Sequence, residues 1–473
     1  MEQAEQGTPL LSAAEQKQYQ KMTGTPVAKL VLGLSIPTIA SMLVTALYNV
    51  ADTYFVSQLG TSASGAVGIV FSLMAIIQAI GFTLGTGSAS LIARRLGERN
   101  VAAANCYLSS AFFAALACGL AITVTGTVLL NPLMRLLGAT PTILPYARAY
   151  GRYILFGAPF MCASFVMNNV LRSQGKAALS MIGLVTGGFV NIVLDPIFIF
   201  VLELGTAGAA IATLISQCVS FTILLSMYLT GRSTATLRLS LASRTLSTYV
   251  EIVRTGLPAF CRQGLASVAA VLLNTAAGVY TDAAVAAMSI VSRIFQFIMF
   301  VGLGIGQGMQ PVVGFNYGAK RFDRARGAYR FAASFGFVVV LLLSLAAAVF
   351  APDLFALFRK DDPAVIAIGT LALRAQCAVL IFQPVIVCTN MSLQGTGRAG
   401  AATFLALCRQ GFLFLPLILI LPRILGLAGI QLAQPIADIL MFLISLPFTF
   451  AFFRHLRQQE ALYAPPSAEE NNL

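Results

Sequence analysis

Residues 190–200 read Val190-Asn191-Ile192-Val193-Leu194-Asp195-Pro196-Ile197-Phe198-Ile199-Phe200. An amide and a carboxylate stand here among large apolar side chains. The run belongs to a longer apolar stretch, 178–202, which is long enough to cross a hydrocarbon core of about 30 Å as an α-helix. A carboxylate at that depth costs several kcal/mol by most estimates, so it faces a cavity or a partner and marks a functional site. Asn191 and Asp195 are four residues apart and share one helix face. Pro196 removes the helix hydrogen bond to the carbonyl of Ile192, which leaves one more oxygen on that turn. The bland reading is a kinked helix with a hydrogen-bonded Asp.

Two further stretches repeat the pattern. Asp52 stands in Leu-Tyr-Asn-Val-Ala-Asp-Thr-Tyr-Phe (47–55), with Tyr48 and Asn49 on its face; its bland reading is a cap at the outer membrane boundary. Thr213 stands in Ala-Ile-Ala-Thr-Leu-Ile-Ser-Gln (210–217), with Ser216 and Gln217 on its face. Asp52, Asn191, Asp195 and Thr213 offer only oxygen as ligand atoms toward a cation. Such donors suit a hard monovalent ion, Na⁺ or H⁺, and point to an ion-coupled transporter.

The rest of the chain is built the same way. Of 473 residues, 58% are hydrophobic and 10% charged, with a mean hydropathy of +0.84. A soluble domain carries about 25% charged residues. Twelve spans are expected, roughly at 28–57, 64–92, 104–131, 142–170, 178–202, 206–230, 248–279, 284–314, 328–351, 365–391, 399–421 and 426–453. The runs do not alternate, which excludes a membrane barrel. The expected fold class is therefore an all-α, polytopic membrane protein. The net charge of +13 sits in short gaps between spans, which fits membrane loops and not a nucleic-acid surface. Twenty of the lysines and arginines fall on the side of the N-terminus and 6 on the other. That bias places both termini in the cytoplasm and the protein in the cytoplasmic membrane.

Other chemistry is poorly represented. The eight cysteines (106, 118, 162, 218, 261, 377, 388 and 408) lie in or beside apolar runs without paired spacing, as core residues do. His455, the single histidine, follows the last span and reads as a boundary residue. There is no Gly-rich phosphate loop followed by Lys and Ser/Thr. The glycines of 81–90 and 302–311 lie inside spans, where small residues let helices approach. An enzyme is not expected, and no cofactor beyond the coupling ion.

The chain is also an internal repeat. A shift of 221 pairs Pro37 with Pro258, Ala66 with Ala287 and Ile69 with Ile290. It also pairs Gly81, Gly85, Gly87 and Gly97 with Gly302, Gly306, Gly308 and Gly318, and Gly205 and Gly208 with Gly426 and Gly429. A one-residue slip pairs Gln174-Gly175 with Gln394-Gly395 and Pro196 with Pro416. Two six-helix lobes of one orientation follow, related by a pseudo-two-fold axis along the membrane normal. The expected layout is a cytoplasmic tail 1–27, an N-lobe 28–230, a cytoplasmic linker 231–247, a C-lobe 248–453 and a cytoplasmic tail 454–473.

The second lobe lacks the acids. Asp52 is replaced by Leu273 and Asp195 by Leu415, and apart from Glu251 at the start of the span 248–279, Asp438 is the one carboxylate in its spans. It carries Arg262, Arg293, Arg374 and Arg409 instead, with Gln263, Gln296 and Gln410. Arginines at membrane depth pair between helices or form a basic cavity wall. The expected substrate cavity therefore includes Tyr48, Asn49, Gln217, Gln263, Arg262, Arg293 and Arg409.

These stretches together resemble a known family. The motifs are Asn-Val-Ala-Asp-Thr-Tyr-Phe-Val (49–56), Leu-Arg-Ser-Gln-Gly (171–175), Asn-Ile-Val-Leu-Asp-Pro (191–196), Arg-Ile-Phe-Gln-Phe (293–297) and Gly-Gln-Gly-Met-Gln-Pro-Val-Val-Gly-Phe-Asn-Tyr-Gly-Ala (306–319). They resemble the multidrug and toxic compound extrusion (MATE) transporters, and among them the prokaryotic MepA-like and DinF-like members. The resemblance covers residues 25–455. It implies two six-helix lobes in a V, a central cavity that alternates sides, and antiport of amphipathic organic compounds against Na⁺ or H⁺. It implies a cation site at Asp52, Asn191, Asp195 and Thr213, whereas the acids some members use in spans 7 and 10 are missing. A monomer in the bilayer is expected, with small organic substrates and no nucleic-acid partner. The alternatives are a flippase for a lipid-linked precursor and an exporter of anionic metabolites.

Overall fold

The computed structural model describes residues 12–358 and 362–463. In chain order the helices are α1 (Ala13–Gly24), α2 (Val27–Ser57), α3 (Thr61–Gly97), α4 (Val101–Val128), α5 (Leu130–Leu136), α6 (Leu144–Ser173), α7 (Ala177–Pro196), α8 (Gly205–Leu229), α9 (Leu246–Gly278), α10 (Asp282–Gly318), α11 (Phe322–Val349), α12 (Ala351–Phe358), α13 (Pro363–Leu380), α14 (Gln383–Gly395), α15 (Ala399–Leu407), α16 (Leu415–Leu425) and α17 (Leu427–Tyr463). Among the described residues there are twelve helical spans long and apolar enough to cross a membrane, and no strand. Helix is the form that satisfies every backbone polar group within its own segment, which lipid demands.

The prolines shape the spans locally. Pro196 does not break its helix; α7 runs through it into a wider π-helical turn, Ile197–Val201. A second π-helical stretch, Cys408–Phe414, precedes Pro416, the repeat partner of Pro196. The span expected at 365–391 is broken. α13 ends at Leu380 and α14 starts at Gln383, because Pro384 has no N–H to carry the helix across Ile381 and Phe382. Two short helices were not expected. They are α5 and α12, which begin at Leu130 and Ala351, one repeat period apart.

The two lobes meet at one end through glycine. A Cβ on Gly97 would strike the carbonyl of Phe315, and one on Gly318 would strike the carbonyl of Arg94. Arg94 and Phe315 are themselves a repeat pair, so the contact is the same on both sides of the pseudo-axis. The swap continues outward, with Gly87 against Ile252 and Gly256 of α9, and Gly308 against Ser35 of α2. Small residues here let α3, α9, α10 and α2 cross at backbone distance. Toward the other end the lobes part, and α9 is largely exposed beyond Phe260.

The closed end holds further departures from expectation. Within the segment expected as an N-terminal tail, residues 13–24 form a helix, started by a capping box of Ser12 and Glu15. α1 lies across the seam: Gln18 donates to the Gln174 carbonyl of one lobe, and Asn316 of the other donates to the Met22 carbonyl at 3.2 Å. Arg172, one of the twenty basic residues assigned to the gaps on the side of the N-terminus, lies inside α6 and is 6% exposed. α17 continues to Tyr463, past the expected end at 453, and Glu460 pairs with Arg326. The segment between lobes runs along α4, with the Thr236 amide on Asn105 Oδ1 at 2.7 Å and the Ser243 amide on Ser110 Oγ at 2.8 Å. Residues 1–11 and 464–473 of the expected tails, and Arg359 and Lys360, lie outside the described residues.

Candidate functional site

Three helices assemble the polar cluster, and small residues on α7 let them close. Gly187 faces Ser216 and Ser220 of α8, and Gly188 faces Val44 and Tyr48 of α2, where an added Cβ would sit 3.1 Å from Val44. Gly183 lies against Leu224 in the same groove. This packing turns Asp52, Asn191, Asp195 and Thr213 toward one another. Their exposures are 4%, 1%, 0% and 4%.

Within the cluster, Asn191 Nδ2 donates to Asp195 Oδ1 at 3.1 Å and to Thr213 Oγ1 at 3.4 Å. Tyr150 Oη of α6 donates to Asp52 Oδ2 at 3.1 Å. Asp52 is not a terminal cap, because α2 continues to Ser57 and the carboxylate is buried. Sequence reasoning missed Tyr150. It sits among Tyr146, Arg148, Arg152 and Tyr153, a composition that reads as a membrane-boundary belt, and no residue pattern there sets it apart.

Three oxygens in this cluster have no hydrogen-bond partner: Asp52 Oδ1, Asn191 Oδ1 and Asp195 Oδ2. An orphaned buried polar atom costs about 1–3 kcal/mol, and more when charged. Three acceptors converging without a donor fit an electron-poor ligand. Two carboxylates with an amide and a hydroxyl, and neither His nor Cys, suit Na⁺ or protons and do not suit a transition metal. Among the described residues no group of three or more His, Cys, Asp or Glu exists that would hold such a metal.

Adjoining the cluster, on its closed-end side, lies a cavity of about 240 Å³ between the lobes. Tyr48, Asn49 and Gln217 line it from the N-lobe, and Arg262 and Gln263 from the C-lobe. Asn191 lines it as well, so one side chain belongs to both the cluster and the cavity. Two expected residues do not line it. Arg293 is exposed, one helical turn before Gln296, the first α10 residue that the cavity reaches. Arg409 is turned away into the C-lobe, where Asp438 holds its Nε at 3.0 Å. Arg172 was missed. It closes the cavity floor by donating to Asn169 Oδ1 at 2.8 Å, to Asn168 Oδ1 at 3.2 Å and to Gln307 of the opposite lobe.

The repeat now has an independent counterpart. The MatE family profile matches residues 37–197 and again residues 258–420. The chain belongs to the MatE family. The two matches begin at Pro37 and Pro258, a pair already related by the shift of 221. The multidrug export protein MepA of Staphylococcus saprophyticus is 27% identical over 415 residues, covering 87% of this chain and 91% of that protein. MepA of Staphylococcus aureus is 26% identical over 415 residues, with 88% and 91% covered. Among solved structures, a MATE in complex with MaL6 superposes with a TM-score of 0.89 at 29% identity, covering 93% of this chain and 99% of the other. An outward-facing multidrug resistance MATE transporter of the MOP superfamily gives 0.88 at 29% identity, with 93% and 99% covered. This MatE protein is thus a multi-pass membrane transporter and not an enzyme, with the two pseudo-symmetric six-helix lobes of that fold.

Proposed function

We propose that this MatE protein exports amphipathic organic compounds across the cytoplasmic membrane, driven by inward flow of H⁺ or Na⁺ through the Asp52/Asn191/Asp195/Thr213 cluster. The observation that carries the reading is the junction at Asn191. Its Nδ2 orders Asp195 and Thr213 while the residue lines the cavity, so a cation bound in the cluster alters the wall that a substrate touches in the cavity. The names of the MepA relatives, multidrug export proteins, agree with an export role. A cavity of about 240 Å³ favours a small organic molecule over the head group of a lipid-linked precursor.

The closed end carries Arg99, Lys176, Lys320 and Arg321 in its turns. The positive-inside bias assigns that end to the cytoplasm, with both termini, so the cavity of this conformation opens outward. The cycle then has a simple order. A cation entering from outside binds between the two carboxylates and takes their net charge from −2 to −1. Relieving the repulsion of this buried like-charge pair stabilises a tighter packing of α2, α7 and α8, which displaces the substrate and favours reopening of the glycine seal to the cytoplasm. Coupling requires that the ion bind the two arrangements with different affinity.

Purified protein in lipid vesicles tests this directly. Export of a fluorescent amphipathic dye should follow an imposed pH or Na⁺ gradient and stop when that gradient is collapsed. Dye flux of equal rate with no gradient of either ion would refute the coupling.

A further inference from the structure

The C-lobe has its own cavity, of about 60 Å³, among α9, α14, the π-helical stretch 408–414 and α17. It touches the central cavity at Arg262, which lines both. Its walls hold a concentration of unsatisfied polar atoms. Two donors, Arg409 Nη2 and Gln383 Nε2, and three acceptors, Asn390 Oδ1, Gln410 Oε1 and Gln383 Oε1, are buried without a hydrogen-bond partner; rotating the amides of Gln383 and Gln410 turns N–H donors to the same space, while Asn390 is fixed by its bond to the Ala402 carbonyl. Gln383 is 1% exposed, Asn390 8% and Gln410 9%. Isolated packing faults would be scattered; these line one cavity of a size for a few small atoms. Arg409 and Gln410 also stand in a π-helical stretch, a geometry that recurs at functional sites.

The charge balance defines what fits. Asp438 is fully buried and accepts from Arg409 Nε, Gln434 Nε2 and Gln376 Nε2, each at 3.0 Å. Asp438 therefore neutralises Arg409 but leaves its Nη2 pointing free. Arg262 has no carboxylate partner among the described residues. The site thus holds one uncompensated positive charge and two guanidinium groups with donors to spare. A guanidinium is matched by a planar oxyanion. The central cavity agrees: the charged residues among its lining are Arg172 and Arg262, and the acids lie outside the lining, in the cation cluster.

We propose that the C-lobe cavity binds a single carboxylate, held by Arg262 and Arg409 with the amides of Gln383 and Gln410 around it, and that the exported amphipathic molecules carry such a group. This deepens the efflux reading and rests on it for the identity of the occupant as cargo. The apolar body of the substrate lies in the central cavity and its carboxylate reaches past Arg262 into the C-lobe. Cation coupling and substrate charge then reside in different lobes.

The test uses a fluorescent xanthene dye with a free carboxylate and the methyl ester of the same dye, bound to the purified full-length protein and read by fluorescence polarisation. The wild type should bind the acid about tenfold or more tightly than the ester. Arg262→Gln should remove most of that preference. It leaves no ion-pair partner stranded, so the fold is retained. A second variant, Arg409→Gln combined with Asp438→Asn, removes both charges of the buried pair together and should have the same effect. Equal affinity for acid and ester in the wild type, no binding of the acid, or a preference unchanged in both variants would each overturn the carboxylate site. The efflux reading is judged separately, by gradient-driven export of the ester from vesicles. Export of the ester without any acid preference would sink the C-lobe site alone.

Discussion

Replacing Asp195 by Asn perturbs the cation cluster with the least collateral change. The side chain keeps its volume, and its remaining oxygen can still accept from Asn191 Nδ2, as Oδ1 does at 3.1 Å. What disappears is one formal charge and the orphan oxygen Oδ2. A charge-assisted contact contributes about 1.5–3 kcal/mol. At about 1.4 kcal/mol per factor of ten, the cation affinity should fall roughly 10- to 150-fold. The ion-free fold should not suffer, because Oδ2 already lacks a partner and a buried amide is cheaper than a buried carboxylate. These two effects separate in a thermal-unfolding titration. A wild type held at 100 times its dissociation constant gains about 2.7 kcal/mol from the ion, whereas a variant with 100-fold weaker affinity gains about 0.4 kcal/mol at the same concentration. Purified wild type and Asp195→Asn would be melted across a Na⁺ series and across a pH series without Na⁺. The variant should match or exceed the wild type without the ion and lose most of the ion-dependent rise. In vesicles it should lose gradient-driven export. Full ion-dependent stabilisation in the variant, or export against a gradient at the wild-type rate, would refute the assignment of the cluster.

Tyr150→Phe removes the one hydrogen bond on Asp52 Oδ2 and should shift ion affinity by about tenfold while preserving coupled export, in the same melting titration; complete loss of expression would instead mark Tyr150 as a packing residue. Gly318→Ala places a Cβ against the Arg94 carbonyl, and overpacking of this kind costs about 1–3 kcal/mol. It should loosen the closed end, seen as faster amide hydrogen exchange over residues 83–97, and unchanged exchange there would argue that α3 and α10 do not form the seal. Reporter fusions within residues 232–246 should report the cytoplasm, and fusions within 354–362 the outside. Both regions on one side would break the orientation and the repeat-based layout together.

Much of this protein is legible in one dimension. Span number, helical class and the two-lobe repeat depend on local hydropathy and on glycine and proline placement, and lipid enforces them residue by residue. The pairing of Asn191 with Asp195 is equally local, since four residues make one turn. The cost of burying Asp52 and Asp195 singled them out before any contact was known. What the sequence could not decide depends on which helix faces meet. Tyr150 lies 98 residues from Asp52 and looks like any boundary tyrosine until the fold brings its hydroxyl within hydrogen-bond reach of that carboxylate. Arg262, Arg293 and Arg409 are the same residue type in similar runs, yet the first lines both cavities, the second is exposed one turn beyond the central cavity, and the third is matched to Asp438. The glycines at 97 and 318 announce close packing but not their partners. Those partners are the carbonyls of Phe315 and Arg94, set by how two lobes cross. Helix rotation and lobe docking depend on side-chain shapes summed over whole surfaces, and no window of sequence contains that sum.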